Sequence, residues 1–215
     1  ISGMKPLAWN PSIVTGYARM MAREMSQSWK PEIVFGAIEK FFGREKLAEI
    51  YPNYDTKLNI DLSRVYASGY SNGGYLIYGL ACRLSNKIAA VGSVAGTMLS
   101  STLNNCAASA PIGVINIHGT ADYDVPYNGT TGLKSATDVV NFWRDLNQSE
   151  IEEVIENNGF NQYDYNDLNG DTYVRHFKII NGGHTWDDNI RYGGKSSSQI
   201  IWEFVSLFNL SGIIK

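Results

Sequence analysis

Hydrophobic and polar residues follow different patterns in the two parts of the chain. From residue 59 onward, short and almost continuously apolar runs alternate with segments whose apolar residues recur at helical spacing. Apolar runs of this kind are typical of parallel strands that are buried on both faces, and the segments between them supply the covering helices. The pattern predicts an α/β fold with a mostly parallel sheet and helices on both faces.

Four strands and three helices are predicted in residues 59–215. The strands lie at 64–68, 88–95, 112–118 and 173–180, and the helices at 73–84, 133–146 and 198–210. The segment DLNGD at 167–171 indicates a hairpin turn, because Asp, Asn and Gly favour tight turns. It resembles a fragment of a calcium loop, but it lacks the later bidentate Glu and the ligand spacing of such loops.

Residues 1–58 show helical patterns and no convincing strand. Asn10 and Pro11 are typical of a helix start, and apolar residues including three methionines follow at helical spacing. A second helix is predicted after Pro31. We expect these helices to pack on the core of a single domain that comprises residues 1–215; a lid or a partner-binding face is the alternative, since methionine often lines adaptable surfaces.

Composition excludes some classes of function. The 215 residues suit one domain, the net charge is −3, and Lys and Arg are scattered. A nucleic-acid-binding or anionic-membrane-binding surface is therefore not expected. No run approaches the roughly 18 apolar residues of a membrane-spanning helix. The chain begins at Ile1 and shows no signal peptide, which we interpret as a processed or trimmed form.

Gly69-Tyr70-Ser71-Asn72-Gly73 matches the pattern G-x-S-x-G, directly after a predicted strand and directly before a predicted helix. This context is that of a nucleophile elbow, a tight turn that presents the Ser71 hydroxyl above the sheet. A side chain at either glycine would clash with the neighbouring strand and helix. The backbone N–H of Asn72 would then be one of two oxyanion donors. The alternative is a Gly-rich turn without chemistry.

A serine nucleophile needs a base, and this fold orders its residues as Ser, acid, His. Of the three histidines, His118 precedes the acid candidate, and His176 lies inside a predicted strand, where a core or surface role is natural. His184 follows Gly-Gly just past that strand and is the predicted base. Asp122, directly after the preceding strand, is the predicted acid, and neighbouring Asp124 is the alternative.

Three segments together resemble a known family. They are SRVYASGYSNGG at 63–74, HGTADYDVPYNG at 118–129 and GGHTW at 182–186. In this order they are similar to the extracellular polyhydroxybutyrate depolymerase and feruloyl esterase family, which also includes acetylxylan esterases. The similarity covers about residues 59–210. It implies an α/β-hydrolase fold, an ester substrate and a secreted or periplasmic location.

The resemblance also implies roles for individual residues. Ser71 is the nucleophile, Asp122 rather than Asp124 is the acid, and His184 is the base. Trp186 is a candidate substrate contact, because the family's Trp at this position lies near the site; a packed aromatic is the alternative.

Two features depart from the family. Asp187 follows Trp186, where the family usually has Pro. The family's N-terminal strands, including the one with the His-Gly oxyanion loop, are not recognisable in residues 1–58. We therefore expect a divergent or truncated N-terminal segment and an absent or replaced second oxyanion donor. The Met- and Phe-rich helices would cover the sheet edge, or a homodimer would, because bare edges invite association.

The predicted triad indicates a serine hydrolase that acts through an acyl-enzyme and without a metal or organic cofactor. The resemblance implies a carboxylesterase that acts on feruloyl, acetyl or polyester-type esters, small or polymeric. A weakly active or non-catalytic hydrolase-fold protein, or a peptidase on the same fold, is the alternative.

Cys82 and Cys106 are too few for a metal site. They form either a disulfide or two buried thiols, and the exported context of the family favours the disulfide.

Overall fold

The computed structural model describes residues 61–186 and 194–215. Its strands are β1 (Tyr66–Tyr70), β2 (Ala90–Val94), β3 (Gly113–Gly119), β4 (Ile151–Asn157), β5 (Phe160–Asn166), β6 (Thr172–Ile179), β7 (Phe208–Asn209) and β8 (Gly212–Ile213). Its helices are α1 (Asn72–Leu84), α2 (Ser100–Asn104), α3 (Ala136–Leu146) and α4 (Ser197–Val205).

Strands β1 to β6 form one sheet in the order β1-β2-β3-β6-β5-β4. The pairings β1–β2, β2–β3 and β3–β6 are parallel, whereas β6–β5 and β5–β4 are antiparallel. The prediction of a mostly parallel sheet is confirmed. β4 and β5 were not predicted, because every residue of β4 is exposed and β5 is largely polar, so neither contains an apolar run.

Helices cover both faces of the sheet, as predicted. Neighbouring strand residues point to opposite faces, so that Val114 contributes to one core and Ile115 to the other. The first core packs residues of α1 and α3 against the sheet, with Trp143 fully buried. The second core packs α4 on the opposite face, with Phe204 and Phe208 fully buried. The result is a three-layer α/β/α arrangement.

Two helix boundaries differ from the predictions. Helix α3 begins at Ala136 rather than at 133, because Ser135 and Asp138 form a capping box that fixes the first turn. Helix α4 ends at Val205 rather than at 210, and the chain then forms the short hairpin β7–β8. Strand β1 is also shifted, from the predicted 64–68 to 66–70.

The predicted hairpin turn is confirmed between β5 and β6. Oδ1 of Asp167 accepts the backbone N–H groups of Asn169 and Asp171, at 2.8 and 2.9 Å. The same side chain that suggested a calcium ligand therefore holds the turn.

Cys82 and Cys106 form a disulfide, which confirms that prediction. The bond joins the C-terminal end of α1 to the loop after α2, 24 residues along the chain. Backbone N–H of Ala107 also donates to the carbonyl of Cys82 at 3.1 Å, so the two segments are joined at neighbouring positions.

The helices predicted in residues 1–58, and the missing His-Gly loop, lie outside the described residues. Asp187 does as well. Among the described helices, none has the length and apolar character needed to span a membrane.

Candidate active site

Ser71 lies in the single-residue turn between β1 and α1, with φ 54° and ψ −117°. A positive φ is unfavourable for a residue with a side chain and persists only where the surroundings impose it. Here the Ser71 N–H donates to the carbonyl of Val94 at 3.0 Å, and the Ser71 carbonyl accepts the N–H groups of Gly74 and Tyr75. The elbow conformation is thus held by both the sheet and the helix.

Close backbone packing explains why the elbow is rich in glycine. A Cβ on Gly69 would lie 2.2 Å from the carbonyl oxygen of Gly73. A Cβ on Gly74 would lie 2.8 Å from Cα of Gly96, which follows β2. Both positions therefore require glycine, and the start of α1 can approach β1 and the end of β2 directly.

The structure brings Ser71, His184 and Asp122 together from the carboxyl ends of three parallel strands. Nε2 of His184 is 2.9 Å from Oγ of Ser71, and Nδ1 of His184 is 2.9 Å from Oδ2 of Asp122. A carboxylate only accepts hydrogen bonds, so Nδ1 carries the proton and Nε2 is free to accept the serine proton. The Asp122 side chain is 0% exposed and that of His184 is 15% exposed.

Asp122 and its rival Asp124 occupy different environments. Oδ1 of Asp122 accepts the backbone N–H groups of Asp124 and Val125, at 3.0 and 2.8 Å. Asp124 itself is exposed, and the contact it makes to Asp122 is through its backbone. The carboxylate that faces His184 is that of Asp122.

The other two histidines are buried. Nε2 of His118 donates to the carbonyl of Val125 at 2.8 Å and lies 3.4 Å from Oδ2 of Asp122. Burial is the largest cause that lowers the pKa of His118. His176 contacts the hydroxyl of Tyr127 at 2.8 Å, and burial lowers its pKa to about 3. The contact of His118 with Asp122 was not predicted, although its position four residues before Asp122 was a signal.

The loops that carry Asp122 and His184 pack backbone to backbone. Gly119 ends β3, and a Cβ on it would lie 2.1 Å from the carbonyl oxygen of Gly182. That carbonyl accepts the N–H of Ala121 at 2.9 Å. The two glycines let the loop after β3 and the loop after β6 approach closely, and this approach brings Asp122 and His184 near each other.

Asn72 is exposed at the first position of α1. The first N–H groups of a helix lack intrahelical partners, and the helix dipole favours negative charge at this end. The N–H of Asn72 is therefore suitably placed beside Ser71 for an oxyanion. The second donor was expected to be absent or replaced, and this expectation stays a prediction because residues 1–58 lie outside the described residues.

Trp186 is half-buried and packs against the core under α4. Its indole N–H donates to Oγ of Ser198 at 3.1 Å. The structure therefore gives Trp186 a packing role, and its contact with substrate stays a prediction.

Asp122, Asp124 and His184 also place metal-ligand atoms within 4.8 Å of one another. In the described structure, however, Nδ1 of His184 and Oδ2 of Asp122 face each other at hydrogen-bond distance. A proton shared between the two side chains accounts for this arrangement.

Comparisons with known proteins find sequence similarity to esterases. It matches no protein-family model. It is 27% identical over 167 residues to the bifunctional acetylxylan esterase/xylanase XynS20E of Neocallimastix patriciarum, an alignment that covers 77% of this chain and 23% of that protein. It is 26% identical over 215 residues to feruloyl esterase B of Piromyces equi, which covers 94% of this chain and 38% of that protein.

The chain thus spans less than two-fifths of the length of either relative. Among solved structures, the acetyl xylan esterase from Aspergillus awamori superposes with a TM-score of 0.52 at 12% identity, over 75% of this chain and 66% of that one. Together with the sheet order and the position of the elbow, this superposition identifies the fold. The chain has the α/β-hydrolase fold, and its sequence is similar to those of a feruloyl esterase and an acetylxylan esterase.

Proposed function

We propose that the protein is a serine esterase that hydrolyses carboxylic esters through an acyl-enzyme on Ser71. The observation that carries the proposal is the continuous hydrogen-bond chain from Ser71 through His184 to the buried carboxylate of Asp122. The names of the relatives favour acetyl or feruloyl groups as the acyl part of the substrate.

In this proposal His184 moves the proton in both half-reactions. Nε2 accepts the proton of Ser71 as Oγ attacks the ester carbonyl, and the imidazolium then protonates the departing alcohol. Water enters, loses a proton to the same nitrogen and releases the acid from the acyl-enzyme. Asp122 keeps the imidazole in the Nδ1–H tautomer and stabilises the imidazolium.

In this proposal the oxyanion of each tetrahedral intermediate accepts hydrogen bonds from the N–H of Asn72 and from a second donor. We infer that a different segment of the chain supplies the second donor or that the second donor is absent. One missing donor costs about 10²–10³ in turnover, so even an incomplete oxyanion hole would permit slow hydrolysis. The proposal therefore accommodates a weakly active enzyme.

Secretion is part of the proposal. The Cys82–Cys106 disulfide supports it, because disulfides persist in oxidising compartments and are rare in the cytosol.

The test compares esters with a peptide substrate. Purified protein is assayed on p-nitrophenyl acetate, methyl ferulate and a peptide p-nitroanilide, and Ser71→Ala is assayed beside it. We expect hydrolysis of at least one ester, no cleavage of the peptide, and a loss of about four to six powers of ten in kcat for Ser71→Ala. A fluorophosphonate should label the tryptic peptide that contains Ser71.

Ser68→Ala is the matched control. Ser68 lies on β1, three residues before the nucleophile, and its buried Oγ has no hydrogen-bond partner among the described residues. Ser68→Ala should retain wild-type turnover. Equal turnover in Ser71→Ala and wild type would reject Ser71 as the nucleophile, and a folded wild-type protein that neither hydrolyses an ester nor takes the label would reject the esterase assignment.

A further inference from the structure

Tyr70 adjoins the nucleophile and also contacts the base His184, a contact that the G-x-S-x-G pattern does not specify. It is the last residue of β1 and is bonded directly to Ser71. Its hydroxyl donates to the backbone carbonyl of His184 at 2.8 Å. Its ring centroid is 4.9 Å from that of the His184 imidazole, and the two planes are inclined by 39°.

The segment that carries His184 has few other attachments in the described chain. Gly182 and Gly183 contribute no side chain to pack. Within residues 61–186 and 194–215, the backbone hydrogen bonds of this segment are those at Gly182 and the local bond from Thr185 N–H to the Gly183 carbonyl. The hydroxyl of Tyr70 is the side-chain donor that reaches the main chain of His184 itself.

We propose that Tyr70 is a positioning residue that holds the general base His184 against the nucleophile Ser71, an inference that rests on the proposed function. The hydrogen bond fixes the main chain of His184, and the ring restricts rotation of the imidazole. Because Tyr70 is the covalent neighbour of Ser71, this contact links the base to the same rigid strand end as the nucleophile.

The hydroxyl is suited to this task. Burial, the largest cause, and the nearby carboxylates of Asp122 and Asp124 raise the pKa of Tyr70 above its ordinary value of 10, so it remains a hydrogen-bond donor at neutral pH. An aromatic face beside an imidazole also stabilises the imidazolium that forms during turnover. Both effects act on the base and not on substrate binding, so they should change kcat rather than KM.

Tyr70→Phe tests the hydroxyl because it keeps the ring. Tyr66→Phe is the matched control: Tyr66 lies at the other end of β1, and its hydroxyl donates to the backbone carbonyl of Phe208 at 2.6 Å. Both substitutions remove the bond from a tyrosine hydroxyl to a main-chain carbonyl, and Tyr66→Phe also removes the bond that Nε of Arg64 donates to that hydroxyl. We expect Tyr70→Phe to lower kcat roughly ten-fold, with KM within two-fold of wild type. Misplacement of a catalytic group by 1 Å costs about 100-fold, and the displacement should be smaller here because the ring remains. Tyr66→Phe should leave kcat unchanged.

A second measurement does not depend on turnover. The Nδ1 proton of His184, shared with Asp122, should give a low-field proton resonance in wild type and in Tyr66→Phe. We expect this resonance to shift or broaden in Tyr70→Phe. An unchanged resonance overturns the positioning role even if no ester is hydrolysed, and so does an unchanged kcat, or a raised KM with unchanged kcat. Absence of hydrolysis and of fluorophosphonate labelling in wild type, with the resonance still perturbed in Tyr70→Phe, rejects the proposed function and leaves the contact supported.

Discussion

Four groups surround the carboxylate of Asp122 and give it one orientation. Oδ1 accepts two backbone N–H groups, and Oδ2 faces His184 at 2.9 Å and His118 at 3.4 Å. Buried carboxylates are stable in folded proteins only when such donors replace water. Asp124 supplies one of those donors through its backbone while its own side chain is exposed, so the two neighbouring aspartates have separate roles.

Asp122→Asn should reduce kcat by about four powers of ten, because an amide donating to Nδ1 favours the tautomer that cannot accept the serine proton. Asp124→Asn should change kcat little, since the backbone N–H that it gives to Asp122 remains. Steady-state kinetics on p-nitrophenyl acetate, with circular dichroism to verify folding, compares the two variants. A larger loss from Asp124→Asn would exchange their roles.

Among the secondary-structure elements, burial determined what sequence could predict. β1, β2, β3 and β6 are flanked by helices on both faces, so their apolar runs were recognisable. β4 is exposed along its whole length, and its glutamates protect a sheet edge that apolar patterns do not mark. The hairpin formed by β4 and β5 therefore appeared only in the structure.

The candidate site also divides into residues that local sequence patterns select and a contact that they do not. Ser71, Asp122 and His184 each follow a recognisable strand, and parallel strands bring their carboxyl ends to one edge, so short local patterns were enough to select them. The bond between Tyr70 and His184 joins residues 114 apart and depends on the path of the loop after β6. No local pattern encodes that path.

The disulfide anchors the C-terminal end of α1, the end that lies opposite Ser71. Cys82→Ser combined with Cys106→Ser should lower the free energy of unfolding by roughly 3–4 kcal/mol, the chain-entropy effect of opening a loop of this length. Turnover of the folded variant should be retained, because the bond is remote from the elbow. Urea unfolding measures the first effect and ester hydrolysis the second. Two free thiols in denatured, unreduced wild-type protein would contradict the bond.

At the scale of the whole molecule, the described interior contains buried polar side chains on β3 and β6. The side-chain amide of Asn116 donates to the hydroxyl of Tyr78 at 3.0 Å, and the backbone carbonyl of Asn116 lies 3.3 Å from Nδ1 of His176. Nε2 of His176 contacts the hydroxyl of Tyr127. The imidazole of His176 is satisfied as a neutral group, and burial opposes its protonation. The folded state therefore resists taking up a proton that the unfolded chain accepts readily.

This difference makes the stability of the protein depend on pH. The pKa of His176 is about 3 in the folded protein, against an ordinary value of 6.5. Neutral His176 therefore contributes fully to the free energy of unfolding above about pH 6.5. This contribution is lost as pH falls toward 3, at about 1.4 kcal/mol per pH unit for one proton. Burial also lowers the pKa of His118, so its effect on stability has the same sign.

His176→Gln removes the titrating group. Between pH 6 and pH 4 the free energy of unfolding of this variant should therefore fall less steeply than that of wild type, by about 1.4 kcal/mol per pH unit. Tyr127→Phe is the matched control, because it removes the same hydrogen bond but keeps the imidazole, and it should retain the wild-type slope. Urea unfolding of the three proteins at pH 7, 5.5 and 4 gives the slopes. Equal slopes for His176→Gln and wild type would mean that His176 takes up its proton in the folded state, contrary to its buried position.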